Sequence, residues 1–93
     1  MTAQATMTAE NGARATRSDL LTMFRKTASE VVEKDFHHVE ESTVISELAI
    51  DSLGMLEIIG SLERQLRIQI PDESLTGLTT IRDLLDVVEQ RQD

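Results

Sequence analysis

The chain has 93 residues, which is enough for one small domain and too few for two. Its formal net charge of −8 argues against a nucleic-acid partner, because binding phosphates requires clustered Lys and Arg. It contains no cysteine for disulfides or thiolate metal sites and no apolar run for a membrane helix or signal region, so we expect a cytoplasmic protein that binds no membrane.

The first segment and the first predicted helix differ in apolar content. Residues 1–17 contain no Leu, Ile, Val or Phe, so they cannot bury enough apolar area to offset the entropy of ordering. We therefore predict a disordered leader over residues 1–17 and a folded domain over residues 18–93. The first helix is predicted from Asp19 to about Lys34, with Ser18 as its N-cap. Its apolar stripe consists of Leu20, Phe24, Ala28 and Val31, widened by Leu21, Met23 and Val32.

Residues 35–50 form a long connection without helical periodicity, and such loops are usually functional or disordered. Its aliphatic residues indicate that it packs against the helices; they are Val39, Val44, Ile45, Leu48 and Ile50. His37 and His38 are adjacent and therefore point in different directions, and nothing nearby completes a set of metal ligands. We interpret both histidines as surface residues and predict no metal site.

The second helix is predicted to begin at Asp51 or Ser52 and to run to about Leu66. At helical spacing its buried arc consists of Met55, Ile58, Ile59, Leu62 and Leu66, with Leu56 at the edge. Leu53 and Glu57 lie outside this arc. An exposed leucine and an exposed acid are therefore expected directly after Ser52.

The last third of the chain is predicted to contain one more long helix. Residues 67–74 alternate over too few positions to form a strand alone, so we predict an extended connector with a short helical turn over residues 72–75. The last helix starts after Thr80 and runs to about Gln90, and it buries Ile81, Leu84, Leu85 and Val88. The predicted fold is all-α, a small three-to-four-helix bundle with a long first loop.

Acidic residues are concentrated around the second helix. Between Glu30 and Glu57 the chain has eight acidic residues and one basic residue, Lys34. This bias is typical of solvated surface that keeps a small domain soluble. It is also typical of a docking face for basic partners, and composition leaves both interpretations open.

Ser52 allows three interpretations. It is a residue type that commonly caps helices, as is Asp51. A nucleophilic serine would need a base such as His37 or His38, but the G-x-S-x-G motif is missing and so small a chain has little room for an enclosed pocket. A serine at a helix N-terminus is also a favourable place for a phosphodiester, because free N–H groups and the positive end of the helix dipole stabilise negative charge there.

The segment DSLGMLEIIGSLERQLRIQIPDE, residues 51–73, resembles the central segment of acyl carrier proteins and related phosphopantetheine-binding carriers. The residues that carry the resemblance are Asp51-Ser52-Leu53, Leu56-Glu57-Ile58, Leu62-Glu63, Leu66, Ile68, Ile70 and Pro71-Asp72. With the helix order and the long first loop it extends over about residues 18–90.

The resemblance implies that Ser52 receives 4′-phosphopantetheine from coenzyme A through a separate Mg²⁺-dependent phosphopantetheinyl transferase. The terminal thiol of that arm would hold an acyl or aminoacyl group as a thioester. The carrier itself would have no catalytic residue and would not be an enzyme. Its work would be to present a tethered intermediate to each partner at high effective concentration, as a monomer.

The resemblance also implies a partner surface. Asp51, Leu53, Leu56 and Glu57 match family positions that meet partner enzymes, and Glu47 is added from the loop. The partners expected there are acyltransferase, ligase or synthase enzymes with basic docking surfaces.

Several residues depart from the family pattern. Ala49 stands where the family commonly has glycine, and Gly54 stands where an acid is frequent; we interpret Gly54 as allowing close approach of a partner backbone. Arg64 and Arg67 interrupt what is often a run of acids. These departures favour a free-standing carrier of polyketide or related specialised-metabolite biosynthesis, while a fatty-acid carrier, a D-alanyl-type carrier and an unmodified helical adaptor remain open.

Overall fold

The computed structural model of the protein describes residues 15–92. It contains three α-helices: α1 (Arg17–Val32), α2 (Ser52–Leu66) and α3 (Ile81–Arg91). Two short 3₁₀ turns, Ile45–Leu48 and Asp72–Leu75, lie in the connections. Within residues 15–92 the only β-type pairing is an isolated antiparallel bridge between Val44 and Thr80, so the predicted all-α bundle with a long first loop is confirmed.

Helix α1 begins and ends two residues earlier than predicted. Its N-cap is Thr16 and not Ser18: the Thr16 hydroxyl accepts a hydrogen bond from Asp19 N–H at 3.1 Å, and the Asp19 carboxylate accepts one from Thr16 N–H at 3.0 Å. This reciprocal capping box satisfies two backbone donors at once, which a cap at Ser18 would not do. The helix ends at Val32 because Glu33 adopts the left-handed conformation with φ 62°.

The start of the folded body also lies earlier than predicted. Residues 1–14 of the predicted leader lie outside the described residues, but Ala15, Thr16 and Arg17 belong to the bundle. The buried side chain of Gln92 donates to Ala15 O at 3.2 Å and accepts from Ala15 N–H at 3.1 Å. Ala15, Thr16 and Arg17, which were assigned to the leader, thus contact the bundle through polar groups that a count of apolar residues does not detect.

Arg17 joins three parts of the bundle. Its guanidinium contacts the carboxylates of Glu41 at 3.3 Å and Glu89 at 2.7 Å, and also that of Asp86. Burial opposes the charge of this guanidinium, but its hydrogen bond to Asp86 and the negative charges around it raise the pKa of Arg17. The start of α1, the first loop and α3 are thus held by one side chain.

The core is aliphatic, with Phe24 and Phe36 as its aromatic members. The other fully or nearly buried apolar residues are Leu20, Ala28, Val39, Leu48, Ile58, Ile59, Leu62, Ile70, Ile81, Leu84, Leu85 and Val88. Because Phe36, Val39 and Leu48 come from the first loop, the prediction that this loop packs onto the helices is confirmed. Arg25 on α1 fixes it further by donating from Nε to Val39 O at 2.7 Å.

The connection from α2 to α3 follows the prediction closely. The second 3₁₀ turn occupies Asp72–Leu75, and α3 begins after the N-cap Thr80 in another capping box. Before that turn, the Glu63 carboxylate accepts a hydrogen bond from the N–H of buried Ile70 at 2.7 Å. The chain is thereby held against α2 as it leaves the helix.

Candidate functional site

Ser52 is the first residue of α2, and its side chain is exposed. The N-cap is Asp51, whose Oδ1 accepts a hydrogen bond from Gly54 N–H at 2.7 Å. The capping interpretation therefore applies to Asp51 and not to Ser52. The Ser52 hydroxyl takes no part in this capping hydrogen bond and lies at the positive end of a helix that has no acid in its first turn.

A groove of about 350 Å³ opens beside the serine. We call it the Ser52 groove; its lining residues are Ile45, Ile50, Asp51, Ser52, Met55, Leu56, Ile59, Leu75 and Leu78. Seven of these nine residues are apolar, and they come from α2, both 3₁₀ turns and the flanking connections. The surface beside Ser52 is therefore mainly apolar.

A second groove of about 260 Å³ lies between the end of α1 and the start of α2. We call it the α1–α2 groove; its lining residues are Val31, Val32, Ala49, Ile50, Asp51, Leu53, Gly54 and Glu57. Ile50 and Asp51 line both grooves. The first turn of α2 is therefore a ridge with one groove on each side.

The five predicted partner residues do not form one uniform patch. Leu53 and Leu56 are the large apolar residues most exposed in the described chain, at 65% and 57%. Leu53 and Glu57 line the α1–α2 groove, whereas Leu56 lines the Ser52 groove. Asp51 lines both, and Glu47 is exposed in the first 3₁₀ turn and lines neither. The partner surface stays a prediction, and the sequence contains no sign of the ridge that divides its residues.

Residues outside the motif complete these grooves. Val31 and Val32 belong to the last turn of α1, and Leu75 and Leu78 belong to the connection before α3. None of the four has a functional role predicted from the sequence, and Val31 and Val32 are predicted there as part of the apolar stripe of the first helix. Their half-buried state, visible only in the structure, is what makes them walls of a groove.

Packing within the chain explains why residue 54 is a glycine. A Cβ at this position would lie 3.0 Å from Ile50 Cγ2 and 3.2 Å from Asp51 Oδ1, closer than ordinary contact. A Cβ here would make Ile50 or the Asp51 side chain give by a few tenths of an ångström, so glycine lets both pack against α2 undisturbed. Close approach of a partner backbone is not needed to explain it.

Ala49 adopts a conformation that favours glycine. It caps the first 3₁₀ turn with φ 57° and ψ 38°, in the left-handed region. This is the position at which the related carriers commonly have glycine, so the departure noted in the sequence places a Cβ in a backbone conformation that costs about 1–2 kcal/mol. The strain lies two residues before the capping Asp51.

The histidines give no support to a nucleophilic serine. His37 contacts the Asp35 carboxylate through both its backbone N–H and Nδ1, and these hydrogen bonds lower the pKa of Asp35. His37 and His38 are exposed, and neither lines the Ser52 groove.

In the part of the chain from Ala15 to Gln92, no three His, Asp or Glu side chains are placed to hold a metal ion. None of the helices in that part has the length and apolar character that a membrane crossing requires.

Comparison with known proteins agrees with this geometry. A family model described as "Phosphopantetheine attachment site" matches residues 23–88. The chain is 38% identical over 53 residues to an acyl carrier protein of Clostridium perfringens, covering 57% of this chain and 70% of the relative. It is 35% identical over 72 residues to the oxytetracycline polyketide synthase acyl carrier protein of Streptomyces rimosus, covering 77% and 76%. The crystal structure of an acyl carrier protein from Thermotoga maritima superposes with a TM-score of 0.74 at 29% identity, covering 81% of this chain and 88% of that one.

The fold and the matched region define a carrier domain with a phosphopantetheine attachment site. The chain belongs to the acyl carrier protein family. Its cofactor is a covalently attached 4′-phosphopantetheine, and the protein is a carrier and not a catalyst. Membership implies that it meets a phosphopantetheinyl transferase and synthase or acyltransferase enzymes.

Proposed function

We propose that Ser52 bears the 4′-phosphopantetheine arm and that the loaded carrier serves polyketide or related specialised-metabolite biosynthesis. One observation carries the first part: Ser52 is exposed at the start of α2 beside an apolar groove, while its neighbour Asp51 provides the helix cap. The arm supplies a terminal thiol that holds the cargo as a thioester.

The chain's own residues fit this attachment. In the transfer, Ser52 Oγ forms a phosphodiester bond as the pyrophosphate bond of coenzyme A breaks; adenosine 3′,5′-bisphosphate leaves, and the hydroxyl proton passes to the transferase. The positive end of α2 favours the resulting negative charge, by about 0.3–1 kcal/mol. Asp51 keeps the first turn of α2 in place through its bond to Gly54 N–H, so the hydroxyl is presented on a rigid element.

The pathway assignment is supported by the Streptomyces rimosus relative, which matches a larger share of this chain than the Clostridium perfringens one, 77% against 57%. It is also supported by Arg64 and Arg67, which are exposed on α2 and just after it. We expect a cytoplasmic monomer whose partners carry basic docking surfaces. The acids that would meet them include Glu47 and Glu57, both exposed.

The attachment is tested by intact mass after incubation with coenzyme A, Mg²⁺ and a broad-specificity phosphopantetheinyl transferase. We expect a gain of one phosphopantetheine in the wild type and none in Ser52→Ala. Ser46→Ala is the matched control, because Ser46 is also exposed and close in sequence, and it should be labelled fully. A folded wild-type protein that gains no mass would contradict attachment and favour the unmodified adaptor.

The pathway is tested separately with the malonylated carrier. We expect it to be consumed faster by a polyketide ketosynthase than by a fatty-acid ketosynthase supplied at equal concentration. The reverse order would point to the fatty-acid alternative and leave the attachment at Ser52 untouched.

A further inference from the structure

A row of residues runs from Ser52 along the surface of α2 and ends at a cation. Residues four positions apart lie nearly in line on a helix, so Ser52, Leu56, Gly60 and Arg64 form a row, which we call the α2 row. Ser52, Leu56 and Arg64 are exposed, and Gly60 is partly exposed. Arg64 is the only basic residue of α2.

The guanidinium of Arg64 lies back over Gly60. Its Nη1 is 3.7 Å from the place that a Cβ of residue 60 would occupy, and beyond the adjacent residues no other described side chain comes within 4 Å of that place. Helical side chains lean toward the N-terminus of their helix, so the charge of Arg64 lies nearer to Ser52 than its own Cα does. Since residue 60 has no side chain, the row stays open between Leu56 and the guanidinium.

In the described part of the chain, Arg64 has neither an ion pair nor a hydrogen bond. By contrast, Arg17 and Arg82 contact carboxylates, and Arg25 and Arg91 donate to backbone carbonyl oxygens. A cation in the last turn of a helix is favoured by the helix dipole, but the guanidinium of Arg64 is turned back from the terminal carbonyl groups. Its exposed charge is therefore open to an anion from outside the bundle.

A carboxylate attached through Ser52 finds no favourable position next to the serine. The Ser52 groove has no basic lining residue and includes Asp51, so a carboxylate placed there would lose water without gaining a partner. Glu47 and Glu57, just before α2 and within it, are exposed and add negative charge at this end. Since like charges repel, Arg64 is the position on α2 that attracts such a group.

Arg64 lies within reach of a group carried on Ser52. Gly60, under the guanidinium, is eight residues after Ser52 and therefore about 12 Å away along the helix axis. Phosphopantetheine places about fourteen bonds between Ser52 Oγ and its sulfur, nearly as many as five residues of backbone, so its extended length is roughly 16 Å. An acyl group on the thiol adds to this reach, and its far end can meet Arg64 with the arm partly folded.

We propose that Arg64 binds the free carboxylate of a dicarboxylic acyl group, such as malonyl, carried as a thioester on the arm at Ser52. An exposed ion pair between separate molecules is weak, but a tethered carboxylate is present at an effective concentration of the order of millimolar. This inference rests on the proposed function and names the chemical class of its cargo.

The test compares two cargoes of similar size on the full chain. A broad-specificity phosphopantetheinyl transferase loads the protein from malonyl-CoA or from butyryl-CoA, and intact mass verifies one arm with its acyl group. The two loaded forms differ chiefly in the carboxylate of the malonyl group. ¹⁵N NMR records the Nε–Hε signals of the arginines, and ¹³C NMR records the labelled malonyl carboxylate.

We expect the Nε–Hε signal of Arg64 to differ between the malonyl and butyryl forms. The signal of Arg67, which is exposed just after α2 and lies outside the α2 row, should stay the same. Arg64→Met keeps an unbranched apolar side chain without the charge, and it should return the malonyl carboxylate signal to its position in free malonyl-pantetheine; Arg67→Met should not. Salt at about 1 M should remove the Arg64 shift, because the Debye length falls to about 3 Å.

A competing carboxylate provides a second check. A glutamate at residue 60 would stand four residues before Arg64, which is the favourable arrangement for an ion pair on a helix. Gly60→Glu should therefore reduce the malonyl-dependent shift of Arg64 about twofold, whereas the neutral Gly60→Gln should retain it. Both variants are expected to fold, because a Cβ at residue 60 meets Arg64 at an ordinary contact distance.

Three outcomes would overturn the inference. Equal carboxylate signals in the wild type and Arg64→Met would show that the cargo does not meet Arg64, and equal responses of Arg64 and Arg67 would show an effect of overall charge alone. The third is no malonyl-dependent shift together with a higher KM of a polyketide ketosynthase for Arg64→Met but not for Arg67→Met, which would assign Arg64 to an acidic side chain of a partner. Failure of the proposed function is recognised earlier, because the wild type would then gain no acyl-phosphopantetheine mass.

Discussion

Two glycines in α2 have different surroundings, although both are helical. A Cβ on Gly60 would meet only Arg64 Nη1, at an ordinary 3.7 Å. A Cβ on Gly54 would lie within 3.0 Å of Ile50 Cγ2, on a side chain that lines both grooves. Helix propensity favours alanine equally at the two positions. A difference in the free energy of unfolding between the two alanine variants therefore reports the local packing.

Gly60→Ala is expected to stabilise the protein by about 0.5–1 kcal/mol, because alanine loses less backbone entropy on folding. Gly54→Ala is expected to destabilise it by about 1 kcal/mol, since overpacking of about 1–3 kcal/mol exceeds that gain. Urea denaturation of both variants measures the difference. Equal stabilisation by the two substitutions would show that Ile50 moves aside freely, and the interpretation of Gly54 as a point of partner approach would then regain support.

At the scale of elements, capping explains both the correct and the wrong helix boundaries. The prediction that the last helix starts after Thr80 is confirmed, because Thr80 is the N-cap of α3. Ser18 is the predicted N-cap of the first helix, yet the Thr16–Asp19 capping box begins α1 two residues earlier. Both residues were visible in the sequence, but Thr16 had been assigned to the leader on apolar content.

The geometry of the candidate site was predictable where local sequence determines it. The exposure of Leu53 and the course of α2 follow from helical spacing, and the choice of Ser52, which rests on the family motif, stays a prediction. The two grooves did not follow, since they depend on how the end of α1 and the connection before α3 approach α2 in space. The 3₁₀ turn at Ile45–Leu48 was likewise missed, because, unlike the turn at Asp72–Leu75, it is not bracketed by a proline and a glycine in the sequence.

The capping box of α3 makes a pH-dependent contribution to stability. Hydrogen bonds from the N–H groups of Thr80 and Thr79 to the Asp83 carboxylate, at 3.1 Å and 2.9 Å, lower the pKa of Asp83 below its usual 3.8. A carboxyl group whose pKa is lower in the folded state stabilises the fold above its unfolded pKa, and this stabilisation is lost as the pH falls through the folded pKa.

Asp83→Asn should therefore lower the free energy of unfolding at neutral pH. Below about pH 4 the variant should lose less stability on acidification than the wild type does. Thermal melts over that range measure the two slopes. Asp72→Asn is the control, because it removes an exposed carboxylate that is not part of this capping box. Parallel pH profiles for the wild type and Asp83→Asn would contradict the assigned role.

On the scale of the whole molecule, polar contacts hold the start of α1 against the first loop and the end of the chain. Arg17 binds carboxylates from the first loop and α3, and Gln92 pairs with the backbone of Ala15. The first loop is also joined to the start of α3 by backbone bonds, from Ile45 N–H to Thr79 O at 2.8 Å and from Ile81 N–H to Thr43 O at 2.9 Å. The long first loop is thus held both by its buried apolar residues and by these polar contacts.

Two truncations and one substitution with its control test this arrangement. Removing residues 1–17 should lower stability by about 1–3 kcal/mol, because it removes the Thr16 cap, the Ala15–Gln92 pair and the Arg17 ion pairs together. Removing residues 1–14 should leave the melting temperature nearly unchanged, since that segment contains no Leu, Ile, Val or Phe. Arg17→Met should account for about 1 kcal/mol of the longer truncation, a fall of roughly 4–8 °C, whereas Arg64→Met, on the exposed face of α2, should change little. A longer truncation as stable as the shorter one would show that residues 15–17 do not hold the bundle together, and the boundary of the domain would return to Ser18.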